Sequence, residues 1–327
     1  MSTESQSTAE AVSRPQAAAR PFQNLGIIIP TWKAERHWAD LERALAMQGL
    51  SPEQVLIIDS SSPDRTCELA RASGYRVVVI PQKEFGHGRT RQAAIASMPP
   101  EAELLLYMTQ DAVLDSPDSV CNLCAAMNDP EVGAAYGRQL PRAEADAIER
   151  HARLFSYPDV SQVRSFESRH AVGIRAAFLS NSFAIYRRTA LEAVGGFPSD
   201  VIFGEDSYVA AKLLMAGWKV VYQADATAVH SHAFTVRQEF ARYFDIGVHH
   251  DREAWMLEAF GSAGGEGQKF VRSELAYLNR HDRSLIPLAL VRTATKLLAY
   301  RLGRHWRRLP NAWNCRLSSN PVFWQAS

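Results

Sequence analysis

The chain has 327 residues, a formal net charge of +1 and 46% hydrophobic residues, enough for one large α/β domain with an addition. That balance gives no reason to expect a nucleic-acid partner, and no basic-aromatic RNA-binding motif is present. No apolar run is long enough to span a bilayer, and the sparse cysteines Cys67, Cys121, Cys124 and Cys315 suit a reducing cytoplasm.

Residues 1–23 are rich in Ser, Ala and Gln and lack an apolar core. They read as a disordered segment, neither signal peptide nor membrane anchor. Residues 25–30 form a short apolar strand stopped by Pro30. Residues 35–48 have helical spacing, with Trp38, Leu41, Ala44 and Leu45 inward and Gly49 as the C-terminal cap. A second strand, 55–58, ends in Asp59. Ser62, Pro63 and Asp64 then read as helix N-cap, first-turn proline and first-turn acid, and Gly74 closes that helix. Strand 75–80, helix 88–97 and strand 103–108 follow. This β-α-β-α-β-α-β series predicts a parallel sheet with right-handed crossovers. Cys121 and Cys124 have the spacing of a metal or redox pair, but no second pair completes a zinc site. Two core thiols on one helix face are expected instead.

Neither Gly-x-Gly-x-x-Gly nor a P-loop follows the first strand, which disfavours a dinucleotide dehydrogenase and a P-loop enzyme. Polar residues nevertheless collect at successive strand ends: Thr31, then Asp59, then His87 with Arg89 and Arg91, then Gln110 and Asp111 in Tyr107-Met108-Thr109-Gln110-Asp111-Ala112. In open α/β sheets ligands bind at that edge. Asp111 can hold a divalent metal, and the metal a diphosphate. Asp59 can accept from a base N–H or a ribose hydroxyl. Arg89 and Arg91, in the first turn of a helix, can face a phosphate. His87, between Gly86 and Gly88, sits where a ligand can approach closely. Each residue also has a purely structural reading: turn or helix capping for the aspartates, a solvated surface for the arginines, a ligand-free turn for the histidine.

Together, Ile27-Ile28-Ile29-Pro30-Thr31, the stretch Ile57 to Thr66, the strand ending at Asp111, Gly195-Gly196-Phe197 and Phe203-Gly204-Glu205-Asp206 resemble family 2 glycosyltransferases, the inverting, metal-dependent GT-A type. Phe85-Gly86-His87-Gly88, Thr109 to Ala112 and His230-Ser231-His232 are similar to segments of bacterial rhamnosyltransferases. The resemblance covers residue 25 to the C-terminus. It implies a GT-A fold, a Rossmann-like, mostly parallel sheet flanked by helices, followed by a helical C-terminal extension. It implies a nucleotide-sugar donor, dTDP-L-rhamnose, a divalent metal, Mn2+ or Mg2+, and a surface-polysaccharide or lipid-linked glycan acceptor. In these terms residues 24–234 form the catalytic domain, 24–115 its nucleotide half and 116–234 its acceptor half, and residues 235–327 form the extension. Two departures stand out. Gln110 replaces one acid of the usual Asp-x-Asp or Asp-Asp metal motif, and Asp59 is followed by Ser60.

Residues 141–175 read as a mobile excursion over the site. Residues 181–186 alternate like a strand, and a short helix follows at 187–194. Glu205 and Asp206 precede a helix at 207–215. Acids there are stabilised by the helix dipole without any catalytic role. The resemblance points to Asp206 as the general base and Glu205 as a substrate-positioning neighbour. Strand segments 219–222 and 227–229 lead into His230-Ser231-His232. Family analogy places one histidine in the metal shell, and distance from Asp206 favours His230 over His232. His249-His250 reads as surface helix.

After Asp282 there is no acidic residue, while Arg292, Lys296, Arg301, Arg304, Arg307, Arg308 and Arg316 all fall there. Leu290, Ala294, Leu297 and Leu298 form an apolar stripe, and Trp306, Trp313 and Trp324 follow. Basic residues beside tryptophans suit peripheral contact with the cytoplasmic face of an inner membrane. A helix packed on the domain with a solvated basic face is the alternative. The other readings are a UDP- or GDP-sugar donor, or a non-catalytic sugar-nucleotide-binding module.

Overall fold

The computed structural model describes residues 23–262 and 265–325. The disorder expected for 1–23 thus lies outside the described residues except at Gln23. The strands are β1 (Leu25–Thr31), β2 (Val55–Asp59), β3 (Arg76–Val79), β4 (Leu104–Met108), β5 (Val113–Leu114), β6 (Val132–Leu140), β7 (Gln162–Arg164), β8 (Phe183–Arg187) and β9 (Lys219–Val229). The α-helices through the acid-bearing one are α1 (Trp38–Ala46), α2 (Thr66–Ala72), α3 (His87–Ile95), α4 (Ser119–Ala125), α5 (Ala147–Ser156), α6 (Arg169–Val172), α7 (Arg188–Ala193) and α8 (Glu205–Met215). After them come α9 (Val236–Arg252), α10 (Ala254–Phe260), α11 (Glu266–His281), α12 (Ile286–Arg304) and α13 (Asn311–Leu317).

All the described strands join one sheet in the order β3-β2-β1-β4-β8-β6-β9-β5, with β7 also on β9. The first four are parallel, as the alternating pattern predicts. β8 runs antiparallel between β4 and β6. The side-chain alternation of β1, β2 and β4 builds two cores. Ile28, Leu56, Ile58, Leu105 and Tyr107 pack with residues of α3, α7 and α8. Ile27, Ile29, Ile57, Leu106 and Met108 pack with α1 and α4 on the other face. A third core, around Phe244, Val248, Ala299 and Trp324, holds the C-terminal helices together. There α9 and α12 touch backbone to backbone: a Cβ on Gly303 would lie 2.1 Å from the Phe244 carbonyl oxygen, so only glycine fits.

Several local expectations change. Pro30 does not stop β1, which runs to Thr31. Pairing of β1 with β4 ends at Ile28, so the missing proline N–H falls beyond that ladder. The second helix begins at Thr66, not Ser62, because Ser62 bonds Asp59 and Asp64 bonds Thr66. Segments 219–222 and 227–229 are one strand with a register shift opposite Gly137/Arg138. Residues 141–175 are not a loose excursion: they form α5, β7 and α6, with β7 paired to β9. Cys121 is exposed and Cys124 partly buried, so only the latter packs near a core. Among the described residues no helix is long and apolar enough to cross a membrane.

Candidate active site

The strand ends expected to carry chemistry do lie on one edge, but they divide into a structural group and a chemical group. Asp59 is fully buried, and its oxygens accept from Thr31 Oγ1 at 2.9 Å, Ser62 N at 2.7 Å and Ser62 Oγ at 2.6 Å. Thr31 and Asp59 therefore clamp the ends of β1 and β2. Gln110 Nε2 donates to the Trp32 carbonyl at 3.0 Å, and Gln110 Oε1 accepts from Trp32 N at 2.7 Å. A carboxylate could not donate the first of these bonds, which explains an amide in the place of the usual acid. None of the three walls the cavity that gathers the other candidates.

That cavity, of about 600 Å³, brings together His87, Arg91, Asp111, Glu205, Asp206, His230 and His232. Its metal-competent corner follows from the sheet. β5 pairs antiparallel with β9, Val113 opposite Val229 and Leu114 opposite Ala228. Continuing that register places Asp111 against the turn that carries His230 and His232. Asp111 Oδ1 lies 3.4 Å from His230 Nε2, and Oδ2 lies 3.5 Å from His232 Nε2. Candidate ligand atoms of all three residues lie within 4.8 Å of one another. Both histidines of the His-Ser-His therefore join Asp111, where the sequence favoured His230 alone.

The donor chemistry fits a metal. His230 Nδ1 lies 2.9 Å from Gln139 Oε1, which also accepts from Arg153 Nη1 at 2.7 Å. With an acceptor there, Nδ1 is the ring nitrogen that donates, and Nε2 is the one that faces Asp111. Burial, then the neighbouring His230, pull His232 down to about 4, so it is a neutral imidazole at physiological pH. Burial alone would raise Asp111, but its contacts with His230, then with His232 and Thr109, outweigh this and hold it well below the usual carboxylate range.

The opposite wall carries the acids. Gly204, at φ +72°, opens α8 in a conformation that glycine tolerates. The helix starts two residues earlier than its apolar spacing suggests, so Glu205 and Asp206 both lie in its first turn. Glu205 meets Arg91 of α3, Nη1 to Oε1 at 2.5 Å, with both side chains at or below 10% exposure. Arg91 is thus committed to a carboxylate rather than free for a phosphate. Arg89 is exposed and off the cavity wall. Burial would raise Glu205, but Arg91 overcomes this and holds it ionised. Asp206 accepts from Ser207 N at 2.8 Å and Asn181 N at 3.2 Å. Burial, and then the charge on Glu205, push it up to about 6, where a carboxylate can act as a base near neutral pH. Arg91→Met strands the Glu205 charge and is expected to cost about 3–5 kcal/mol of stability, measured by urea unfolding. Pairing it with Glu205→Gln should recover most of that loss.

His87 stands at the helix start, exposed, with its ring edge-on to Phe85 at 5.1 Å. Gly88 serves packing rather than ligand approach, since a Cβ there would lie 1.8 Å from the Pro198 carbonyl oxygen. Among the wall residues that sequence reasoning missed, Arg153, Gln139, Arg242 and His249 carry polar chemistry. Arg153 comes from α5, within the stretch read as a mobile excursion over the site. Gln139 sits near the end of a strand with no marked motif. Arg242, stacked 4.7 Å over Phe203, and His249 come from α9. His249 was read as surface, yet it is 3% exposed beside Gly204 and has no hydrogen-bond partner at either ring nitrogen among the described residues. Only the irregular polarity of α9 could have signalled it.

Comparisons with known proteins bear on the family and the fold. Residues 104–321 match the glycosyl transferase family group 2. The chain is 42% identical to the O-antigen chain rhamnosyltransferase RfbN of Salmonella typhimurium strain LT2, over 90% of this chain and 93% of that one. It is equally similar, over the same shares, to the O-antigen chain rhamnosyltransferase WbaN of Salmonella anatum. Among solved structures it resembles the mannosyltransferase PcManGT of Pyrobaculum calidifontis, in complex with GDP-Man and Mn2+. That match has a TM-score of 0.61 and 19% identity and covers 88% of each chain. The parallel-dominated sheet, its flanking helices and the helical C-terminal region are those of the GT-A fold, and the chain belongs to glycosyl transferase family group 2 as a glycosyltransferase.

Proposed function

We propose that this enzyme transfers L-rhamnose from dTDP-L-rhamnose to a hydroxyl of a growing surface polysaccharide or its lipid-linked precursor, at the cytoplasmic face of the inner membrane. The observation that carries the reading is that one cavity holds both an Asp111–His230–His232 cluster and an elevated carboxylate, Asp206. The similarity to O-antigen rhamnosyltransferases directs it to rhamnose.

Asp111, His230 and His232 would hold a divalent cation, Mn2+ fitting an imidazole-rich set better than Mg2+, and such an ion would neutralise the charge that develops on the departing diphosphate. Arg153 and Arg242, also on the cavity wall, supply fixed positive charge for the same phosphates. Asp206 takes the proton of the acceptor hydroxyl as it attacks the anomeric carbon. A single displacement from the face opposite the diphosphate inverts that centre. Glu205, held by Arg91, keeps Asp206 basic and fixes the first turn of α8. The Gln110 departure that suggested a non-catalytic module carries less weight once His230 and His232 stand beside Asp111.

A thermal-shift panel of nucleoside diphosphates and nucleotide sugars, each with and without Mn2+, tests the donor. Binding to the folded state raises the melting temperature by mass action. Selective stabilisation by dTDP and dTDP-rhamnose, enhanced by metal, is expected. A response to UDP- or GDP-sugars alone would keep the glycosyltransferase and remove rhamnose.

A further inference from the structure

Helix α12 is built with its polarity reversed. Its inward face carries charge: the Arg292 and Lys296 side chains are 13% and 17% exposed. Lys296 Nζ lies 3.1 Å from Glu239, itself buried, and Arg292 Nη2 donates to the Phe234 carbonyl at 3.0 Å. Its outward face carries Leu290, Val291, Leu297 and Leu298, at 49%, 54%, 51% and 56% exposure. The spacing i, i+1, i+7, i+8 puts them on one side of a helix. The sequence pattern left two orientations open, leucines towards a membrane surface or leucines packed with the charges solvated. The buried acid Glu239 on α9 and the Gly247–Gly303 contact turn the charged face inward.

An outward stripe of this kind is stable where its surroundings are apolar. The chain from α12 onward is basic, although Arg307 lies 3.4 Å from Asp251 of α9. Arg301 continues the stripe, Arg307, Arg308 and Arg316 are exposed nearby in the chain, and no acidic residue follows Asp282. Trp313, 63% exposed, adds a side chain suited to a headgroup boundary. α12 packs along α9, whose Arg242, Tyr243 and Ile246 wall the cavity, so one helix separates this face from the site.

We propose that the outward face of α12 is the surface by which this chain lies on an anionic bilayer, its leucines entering the headgroup–acyl boundary and its arginines meeting lipid phosphates. The assignment deepens the reading of a lipid-linked acceptor and rests on that reading only for its purpose. The test is cosedimentation of the full chain with vesicles of phosphatidylglycerol and phosphatidylethanolamine, compared with phosphatidylcholine alone. Binding at least about tenfold tighter to the anionic vesicles, weakened by salt, is expected. Leu297→Glu with Leu298→Glu should weaken it at least about tenfold, with circular dichroism and dTDP thermal shift unchanged. Arg301→Glu should reduce only the salt-sensitive part. Absence of binding to anionic vesicles, or equal binding by the double variant, overturns the proposal. So does a dimer in sedimentation velocity that the same double variant dissociates, which would assign the face to a second copy. Vesicle binding as expected alongside a failed nucleotide panel would leave the surface standing and remove the donor reading.

Discussion

Asp206→Asn is expected to lower kcat by roughly 10²–10⁴-fold while leaving donor binding within about twofold of wild type. The amide keeps the shape of the side chain and its bond from Ser207 N, but it cannot take the acceptor proton. Loss of kcat with an unchanged dTDP thermal shift separates a base from a donor-binding residue. The pH dependence follows from the same environment. Burial and the Glu205 charge raise Asp206 to about 6, and a base works only when ionised. Wild-type kcat/KM should therefore be level above pH 6 and fall as pH drops through it. Glu205→Gln removes the neighbouring charge and should move that limb to lower pH. A limb that does not move would mean that another group titrates there.

Asp111→Ala is expected to abolish specific Mn2+ binding, measured by calorimetric titration in the presence of dTDP, and to take the metal enhancement of dTDP binding with it. His230→Ala and His232→Ala should each weaken the same binding. The more diagnostic change is Gln139→Leu. Gln139 does not join the cluster of candidate ligands, but its Oε1 fixes the proton on His230 Nδ1. Losing that acceptor frees the ring to rotate or to change tautomer, and should weaken Mn2+ by about 10–100-fold. Gln139→Glu retains an acceptor for both His230 and Arg153 and should restore affinity. If Gln139→Leu binds Mn2+ as wild type does, His230 is not a ligand through Nε2.

Much of this was legible in the sequence, for identifiable reasons. The strands β1, β2 and β4 are apolar runs ending in polar residues, so their parallel arrangement and the edge they share could be read from the alternating pattern. Trp38, Leu41, Ala44 and Leu45 were correctly placed inward because helical spacing admits only one apolar face. Asp111 and Asp206, both singled out from the sequence, line one cavity. What sequence could not supply was which partner each polar side chain would choose. Asp59 turned to Ser62 and Thr31, Gln110 to the Trp32 backbone, and Arg91 to Glu205 across 114 residues of chain. Such pairings depend on crossovers, not on local pattern. The reversed face of α12 was hidden for the same reason. A stripe of leucines opposite two cations looks alike whether the leucines face a core or the exterior, until Glu239 is known to lie beneath the cations.

The most direct measurement is release of nucleoside diphosphate from dTDP-rhamnose, UDP-GlcNAc and GDP-mannose by the purified chain, with a lipid-extracted acceptor, with and without EDTA. The assignment predicts release of dTDP from dTDP-rhamnose, dependent on acceptor, lost on chelation and absent in Asp206→Asn. Turnover of a UDP- or GDP-sugar in its place, or dTDP release that persists in EDTA or in Asp206→Asn, would contradict it.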